Sequence, residues 1–448
     1  MKKNVLTLSA ILVVCAAAQA QWVQQPFSFT PTSRVPLYVD AVDASTAWSL
    51  SSGILSRSTT NQVARTFNGG QNWTVLTIAA IDTDNETIQS LSAISPTTAW
   101  VVTAGVAGGR ILKTADAGNT WVVQSTAAMF TGPDSYPNTI HFFNANDGVV
   151  MGDPDDTGRG MEIYYTANGG TSWTRATVPV GTKDELGTIA PPAVVGNSIW
   201  LPNDEGDIFR SLDKGATWTV ARQVASEAIE NVAFRDQQNG LAIISDENST
   251  KHQLFRTTDG GSTWSRLNYS GPLRGFSIDN VPGTGNYISV GLDFGNGDAG
   301  SSYSRDNGQT WVSIETTLNH LFVDAAGPAA VWSGGVGENS AGTIIGLGAN
   351  KLTSTVLGAR TALLVAGASL SPNPSTSGRF RVEWPAAAHV GPVTLTLTDA
   401  VGRQVQQRRL ESSRAGEASL DLSREKPGLY QVKLESETGV SYLRAQVL

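Results

Sequence analysis

Six short segments of one pattern recur along this chain, and no other feature constrains its fold as strongly. They are TFNGGQNW from Thr66 to Trp73, TADAGNTW from Thr114 to Trp121, TANGGTSW from Thr166 to Trp173, SLDKGATW from Ser211 to Trp218, TTDGGSTW from Thr257 to Trp264 and SRDNGQTW from Ser304 to Trp311. Their tryptophans advance by 48, 52, 45, 46 and 47 residues. A fixed period of this size, with about four strands per repeat, is the signature of a β-propeller blade. Each position in the pattern has a physical task. The acid or amide (Asn68, Asp116, Asn168, Asp213, Asp259, Asp306) can accept amide hydrogens across a tight turn, and the glycine behind it supplies the positive φ that other residues resist. The closing tryptophan (Trp73, Trp121, Trp173, Trp218, Trp264, Trp311) is suited to filling the gap between neighbouring blades.

A second pattern lies upstream of each box: an apolar strand, a short turn, then another strand that often carries Trp. Examples are LYVDAVDASTAWSL at 37–50, SLSAISPTTAWVV at 90–102, HFFNANDGVVMG at 141–152 and NVAFRDQQNGLAII at 231–244. Counted this way there are seven units, because LFVDAAGPAAVWSGG at 321–335 opens one that has no box. Its missing outer strand is supplied from the other end, where QWVQQPFSF at 21–29 imitates the strands that follow the boxes and Trp22 takes the box-tryptophan position. Closing the ring in this way removes the exposed edges of an open array. With 46 glycines and only 16% charged residues, the chain reads as all-β: a seven-bladed propeller over 21–348, a linker at 349–369, and a small immunoglobulin-like β-sandwich over 370–448.

These boxes are Asp-boxes, and the phrase that couples them to the upstream strands resembles the seven-bladed propellers related to photosystem II stability and assembly factors. Sialidases and some endoglucanases share the Asp-box, and Ser33-Arg34-Val35-Pro36 is similar to the Arg-Ile-Pro element that gives sialidases a carboxylate-binding arginine. In such families the box carboxylates stabilise hairpins away from the active face, so the resemblance implies a structural role for the box residues.

Residues 1–20 pair Lys2 and Lys3 with an apolar run from Val5 to Ala18 and close on Ala18-Gln19-Ala20, the pattern of a cleaved signal peptide. The run is too short for a stable span, and no later segment replaces it. Cys15, the one cysteine, falls within this leader, which leaves the exported chain without thiol catalysis or disulfides. Removing Lys2 and Lys3 takes the formal charge from −8 to −10, the wrong sign for a nucleic-acid partner.

In the C-terminal region, Pro372-Asn373-Pro374, Gly378 with Phe380, Thr398-Asp399-Ala400-Val401-Gly402-Arg403, Leu420-Asp421-Leu422-Ser423 and Pro427-Gly428-Leu429-Tyr430 follow in order. They resemble the type A sorting domain of the type IX secretion system. That resemblance implies the secretion machinery as a partner and a secreted or cell-surface destination.

No catalytic motif assembles from the sequence. The four histidines, His141, His252, His320 and His389, show no pair at metal-ligand spacing, which argues against zinc. His141, inside an apolar strand, reads as a core or channel residue. The feature left over is acidic. Loops between the second and third strands of the later units carry Asp153, Asp155 and Asp156; Asp204, Glu205 and Asp207; Asp246 and Glu247; Asp293 and Asp298; and Glu338. Alternating strand direction puts these loops on the face opposite the boxes. If Asp153, Asp155, Asp156, Asp246 and Asp293 converged there, they would suit a hard cation such as calcium; no other cofactor is called for. The sequence thus points to a non-catalytic binding or scaffolding propeller with a glycan or surface protein as ligand. The alternative is a glycoside hydrolase acting on extracellular polysaccharide, which needs two carboxylates at a defined separation.

Overall fold

The computed structural model describes residues 22–448 except 54–58, 107, 132–134, 155–159, 181–184, 223, 226, 245–249, 294, 354–368, 385–392, 400–403, 411–415 and 437–438. The expected signal peptide at 1–20 lies outside the described residues. Every described element is a strand, and the chain divides into two compact units, Met1–Leu357 and Gly358–Leu448.

The first unit is a β-propeller built from antiparallel four-stranded blades. Five sheets of four strands stand alone, and an eight-stranded sheet separates into two further four-stranded halves at one parallel contact, Tyr38 against Phe322. In each blade the innermost strand comes first, and a short outermost strand follows the Asp-box. The exception is the last blade, whose inner three strands are Asn319–Gly327, Ala330–Glu338 and Ile344–Leu352. Its outermost strand is Trp22–Gln25, antiparallel to Ile344–Leu352 in the register Trp22 to Leu352 and Gln25 to Ala349. The third strand ends at Leu352, paired on one side with Ala330–Glu338 and on the other with Trp22–Gln25. Trp22 is buried, donates from Nε1 to Ser301 Oγ of the preceding blade at 2.8 Å, and packs 4.7 Å from the ring of His320.

Blades adhere through aromatic wedges that the two sequence patterns supply jointly. Trp48, Trp100, Trp200 and Trp332, from second strands, are fully buried. Trp100 stacks on Phe142 of the next blade at 3.5 Å and Trp200 on Phe234 at 3.6 Å, while Trp332 meets the box residue Trp73 edge-on at 5.8 Å. The box glycine makes this approach possible. At Gly70, with φ of 88°, an added Cβ would lie 2.9 Å from the Trp332 ring, so both backbone conformation and space demand glycine.

The second unit is a small sandwich of two sheets. One joins Ser369–Ser371, Arg379–Trp384 and Gly416–Asp421; the other joins Gln404–Leu410, Val393–Thr398, Gly428–Ser436 and Gly439–Val447. Alternation sends Phe380, Val382, Leu395, Leu397, Tyr430 and Val432 into its core. The ordered sequence motifs are fastenings. Asn373 clamps the last strand, giving a hydrogen bond to Arg444 O at 2.6 Å and accepting one from Gln446 N at 3.0 Å, and Tyr430 Oη donates to Lys426 O at 2.7 Å.

Candidate functional site

The Asp-box side chains are fully occupied by their own turns. Asp259 Oδ1 accepts from Thr263 N at 2.9 Å and Oδ2 from Thr263 Oγ1 at 2.7 Å, while Thr257 Oγ1 donates to Oδ1 at 2.8 Å and itself accepts from Gly261 N. Asp116, Asp213 and Asp306 repeat this arrangement, and Asn68 and Asn168 keep its backbone half. The Thr263 amide and hydroxyl hold the Asp259 carboxyl down at about 2. Box backbones also bond the turns between first and second strands, as Gly69 N does to Ser45 O and Ala117 N to Thr97 O. Those turns and the boxes therefore share one face.

On the other face the acidic loop residues are drawn into local contacts. Asp153 is buried, and its Oδ1 accepts from Asn138 Nδ2 at 2.5 Å and from Gly187 N at 2.7 Å. Asp204 caps Leu186 N at 2.6 Å, Asp207 pairs with Arg222, and Asp298 accepts from Gly275 N at 2.8 Å and lies 3.2 Å from His252 Nε2. Asp293 closes its own turn by accepting from Gly295 N and Gly297 N, which lower its pKa. Asp155, Asp156, Asp246 and Glu247 lie outside the described residues. Among the described residues, no three His, Cys, Asp or Glu side chains are grouped to hold a metal ion. Arg34 donates to Thr30 O at 2.8 Å and does not line the cavity on the ring axis.

That cavity has a volume of about 620 Å³. Its wall is formed by the innermost strands of all the blades and the turns that follow them, from Asp40–Val42 and Ser90–Ile94 round to Asp279–Gly283 and Asp324–Ala325. It is blind. Toward the face away from the boxes, Tyr38, Leu91, Ala190 and Phe322 join one buried cluster, with Ile189 and Phe276 packed on it. These residues come from blades on opposite sides of the ring, so they meet across its axis. Phe322 lies 5.2 Å from Phe276 and 6.4 Å from Tyr38, ring centre to ring centre. The axial channel is thus a cup with an aromatic floor and its mouth among the box-face turns.

The cup wall carries three carboxylates that sequence reasoning missed, at one equivalent position in three consecutive blades. Each latches its blade to the next: Asp279 Oδ2 accepts from Ala325 N at 2.9 Å, Asp324 Oδ2 from Ala41 N at 2.6 Å, and Asp40 Oδ2 from Ala93 N at 2.5 Å. In the blade after Asp40 the position is Ser92, whose Oγ accepts from Phe142 N at 3.0 Å; in the next it is His141. Burial, and then the neighbouring Asp324 charge, raise Asp40 and Asp279 well above the usual carboxylate range, while burial lifts Asp324 to about 6. Burial also holds His141 down at about 4. A signal was available in the sequence, since Val-Asp-Ala at 39–41 recurs at 323–325 and Ile-Asp-Asn stands at 278–280, each an acid within an otherwise apolar strand.

A ring of four-stranded blades pinned by Asp-boxes around an axial cup, followed by a separate sandwich, defines an Asp-box β-propeller with an appended small domain. Residues 369–447 match the family described as the secretion system C-terminal sorting domain, so the tail is of the kind that directs export by the type IX secretion system. Part of the chain is similar to the photosystem II stability and assembly factor HCF136: 150 residues, 34% of this chain, are 25% identical to the Arabidopsis thaliana protein, and the rice protein matches at the same identity. The match spans about a third of the length of these relatives. Among solved structures, YCF48 bound to a D1 peptide superposes with a TM-score of 0.51 at 17% identity, over 75% of this chain and 97% of that one. YCF48 from Cyanidioschyzon merolae gives 0.50 at 17%, over 74% and 98%. At such identity these likenesses speak to the propeller fold. No helix among the described residues is long and apolar enough to cross a membrane.

Proposed function

We propose that this is an exported, non-catalytic binding propeller whose ligand seat is the axial cup, presented outside the cell or at its surface. The observation that carries this reading is the cup itself. It is a blind, ligand-sized cavity whose wall is contributed by every blade and whose carboxylates are immobilised as inter-blade latches. Rigid walls built on strands favour recognition, because little ordering accompanies binding. The sorting domain supports export, and the peptide held by YCF48 supports a polypeptide as one kind of ligand for this fold.

One observation favours the alternative of glycoside hydrolysis. Neighbouring carboxylates, one lifted to about 6, are the starting materials of a general acid and its partner. Glycan and peptide arrays, combined with an assay for reducing-end release, separate the two. We expect binding that disappears when the exposed mouth residue Pro282 is replaced in Pro282→Trp, with no release of product. Release of reducing ends that is abolished in Asp324→Asn would overturn the binding-only reading.

A further inference from the structure

The cup is sorted by chemistry around its circumference. Asp279, Asp324 and Asp40 occupy adjacent blades, and no Lys or Arg among the described residues pairs with any of them. Arg235, the one such side chain in the lining among the described residues, is engaged by Asp236 and Asn307. Asp40 spends one oxygen on its latch amide and has no further hydrogen-bond donor among the described residues, while Asp324 is held by the latch amide of Ala41 and by the amide of Ala325. Across the cup stand Pro191, Pro192, Val194 and Phe234. His141 lies between these two arcs. Its side chain is half-buried on the cup wall, its ring sits edge-on to Phe143, and the imidazole forms no hydrogen bond or ion pair with a described residue. A neutral imidazole offers one donor and one acceptor nitrogen, and here neither has a protein partner.

From this arrangement we infer that the cup receives a cationic group on a short apolar stem, an aminoalkyl or guanidinoalkyl chain of the kind borne by lysine or arginine. The cation sits against the Asp279–Asp324–Asp40 arc, the stem lies along the proline, valine and phenylalanine wall, and His141 hydrogen-bonds a polar atom of the ligand. The inference rests on the cup being the binding seat and adds the class of group it takes. Three physical points support it. A half-buried, desolvated carboxylate without a counter-charge is destabilised, and a ligand cation relieves that. The volume of about 620 Å³ falls within the small-molecule range and exceeds what a bare ion fills. His141, held neutral, adds no opposing charge beside the cation.

The test is calorimetric titration of the full chain with 1,5-diaminopentane, Nα-acetyl-lysine amide and its arginine counterpart, with 1-pentanol as the neutral probe. We expect saturable one-to-one binding of the amines and none of the alcohol. Binding should tighten as the pH rises from 5 to 7, because proton loss from the arc creates the charge the ligand meets. Capture of acetyl-lysine amide at least as tight as that of the diamine would identify a polypeptide side chain as the source; preference for the diamine would identify a free amine. The double variant Asp40→Asn, Asp324→Asn keeps an acceptor for each latch amide and should weaken binding at least about tenfold, whereas Glu227→Gln, Glu338→Gln, with the same change in net charge, should not. If the first double variant does not fold, the wild-type pH profile and Pro282→Trp carry the test: pH-independent binding, or binding indifferent to the mouth, sinks the proposal. Absence of saturable amine binding at millimolar concentration also overturns it. An array ligand still lost in Pro282→Trp would then leave the cup as the binding seat with the cationic assignment withdrawn.

Discussion

Replacing Asp324 by asparagine should make the propeller more stable at pH 8 and hardly change it at pH 4. The carboxylate accepts the Ala41 amide, a bond that an asparagine oxygen reproduces, so the substitution removes charge more than contact. Burial raises the carboxyl from 3.8 to about 6 in the folded protein. A group raised on folding contributes stability that is fully present below its unfolded pKa and is lost as the pH climbs through its folded one. Ionising Asp324 at pH 8 therefore costs roughly 3 kcal/mol, taking the shift at about 1.4 kcal/mol per unit. With an unfolding entropy near 2.1 cal/mol/K per residue over roughly 330 residues, that is about 4 °C in Tm. Burial lowers His141 to about 4 and lowers His320 as well, and both act in the opposite sense below pH 6.5. Both are present in the two proteins and cancel in the difference. Calorimetric melts of both proteins from pH 4 to 8 make the comparison. A variant less stable at pH 8, or a difference that does not shrink on acidification, would show that the ionised latch is a net gain and refute the reasoning.

Trp22→Ala should cost about 3–5 kcal/mol, as expected for a buried indole, and should lower the single melting transition of the propeller rather than create a separate early step. Asp259→Ala removes the Thr263 amide and hydroxyl contacts and should cost about 1 kcal/mol at pH 7 by denaturant titration. Because folding lowers this carboxyl to about 2, that contribution is present above pH 3.8 and fades as the pH falls toward 2. Deleting residues from 369 onward should leave a propeller that melts as before but stays in the periplasm; its appearance in the medium would refute the sorting role.

The box residues were legible because their chemistry is local: a carboxylate and the amide it accepts lie within the same turn, four positions apart, as in Asp259 and Thr263. The strand that completes the last blade was also legible, since Trp22 repeats a pattern visible elsewhere. The cup was not. Asp324 and its latch partner Ala41 lie 283 residues apart, and only side-by-side innermost strands give them one neighbourhood. Within YVDAV an acid looks like the approach to a turn. The acidic loops misdirected attention for a related reason. Charge in a loop suggests solvent or a ligand, yet Asp153 and Asp204 are spent on Gly187 and Leu186, backbone amides of a connecting segment whose need for acceptors no composition reveals.

Pairing Trp22 with Leu352 has a consequence for the order in which the molecule can form. The first described strand, Trp22–Gln25, belongs to the last blade, so that blade cannot gain its fourth strand until residue 352 has been made. Before then the earlier blades can condense through local contacts, but they remain an arc with two unsatisfied ends. Joining those ends across more than 300 residues adds only a logarithmic entropy penalty, so distance along the chain slows closure far more than it weakens the closed ring.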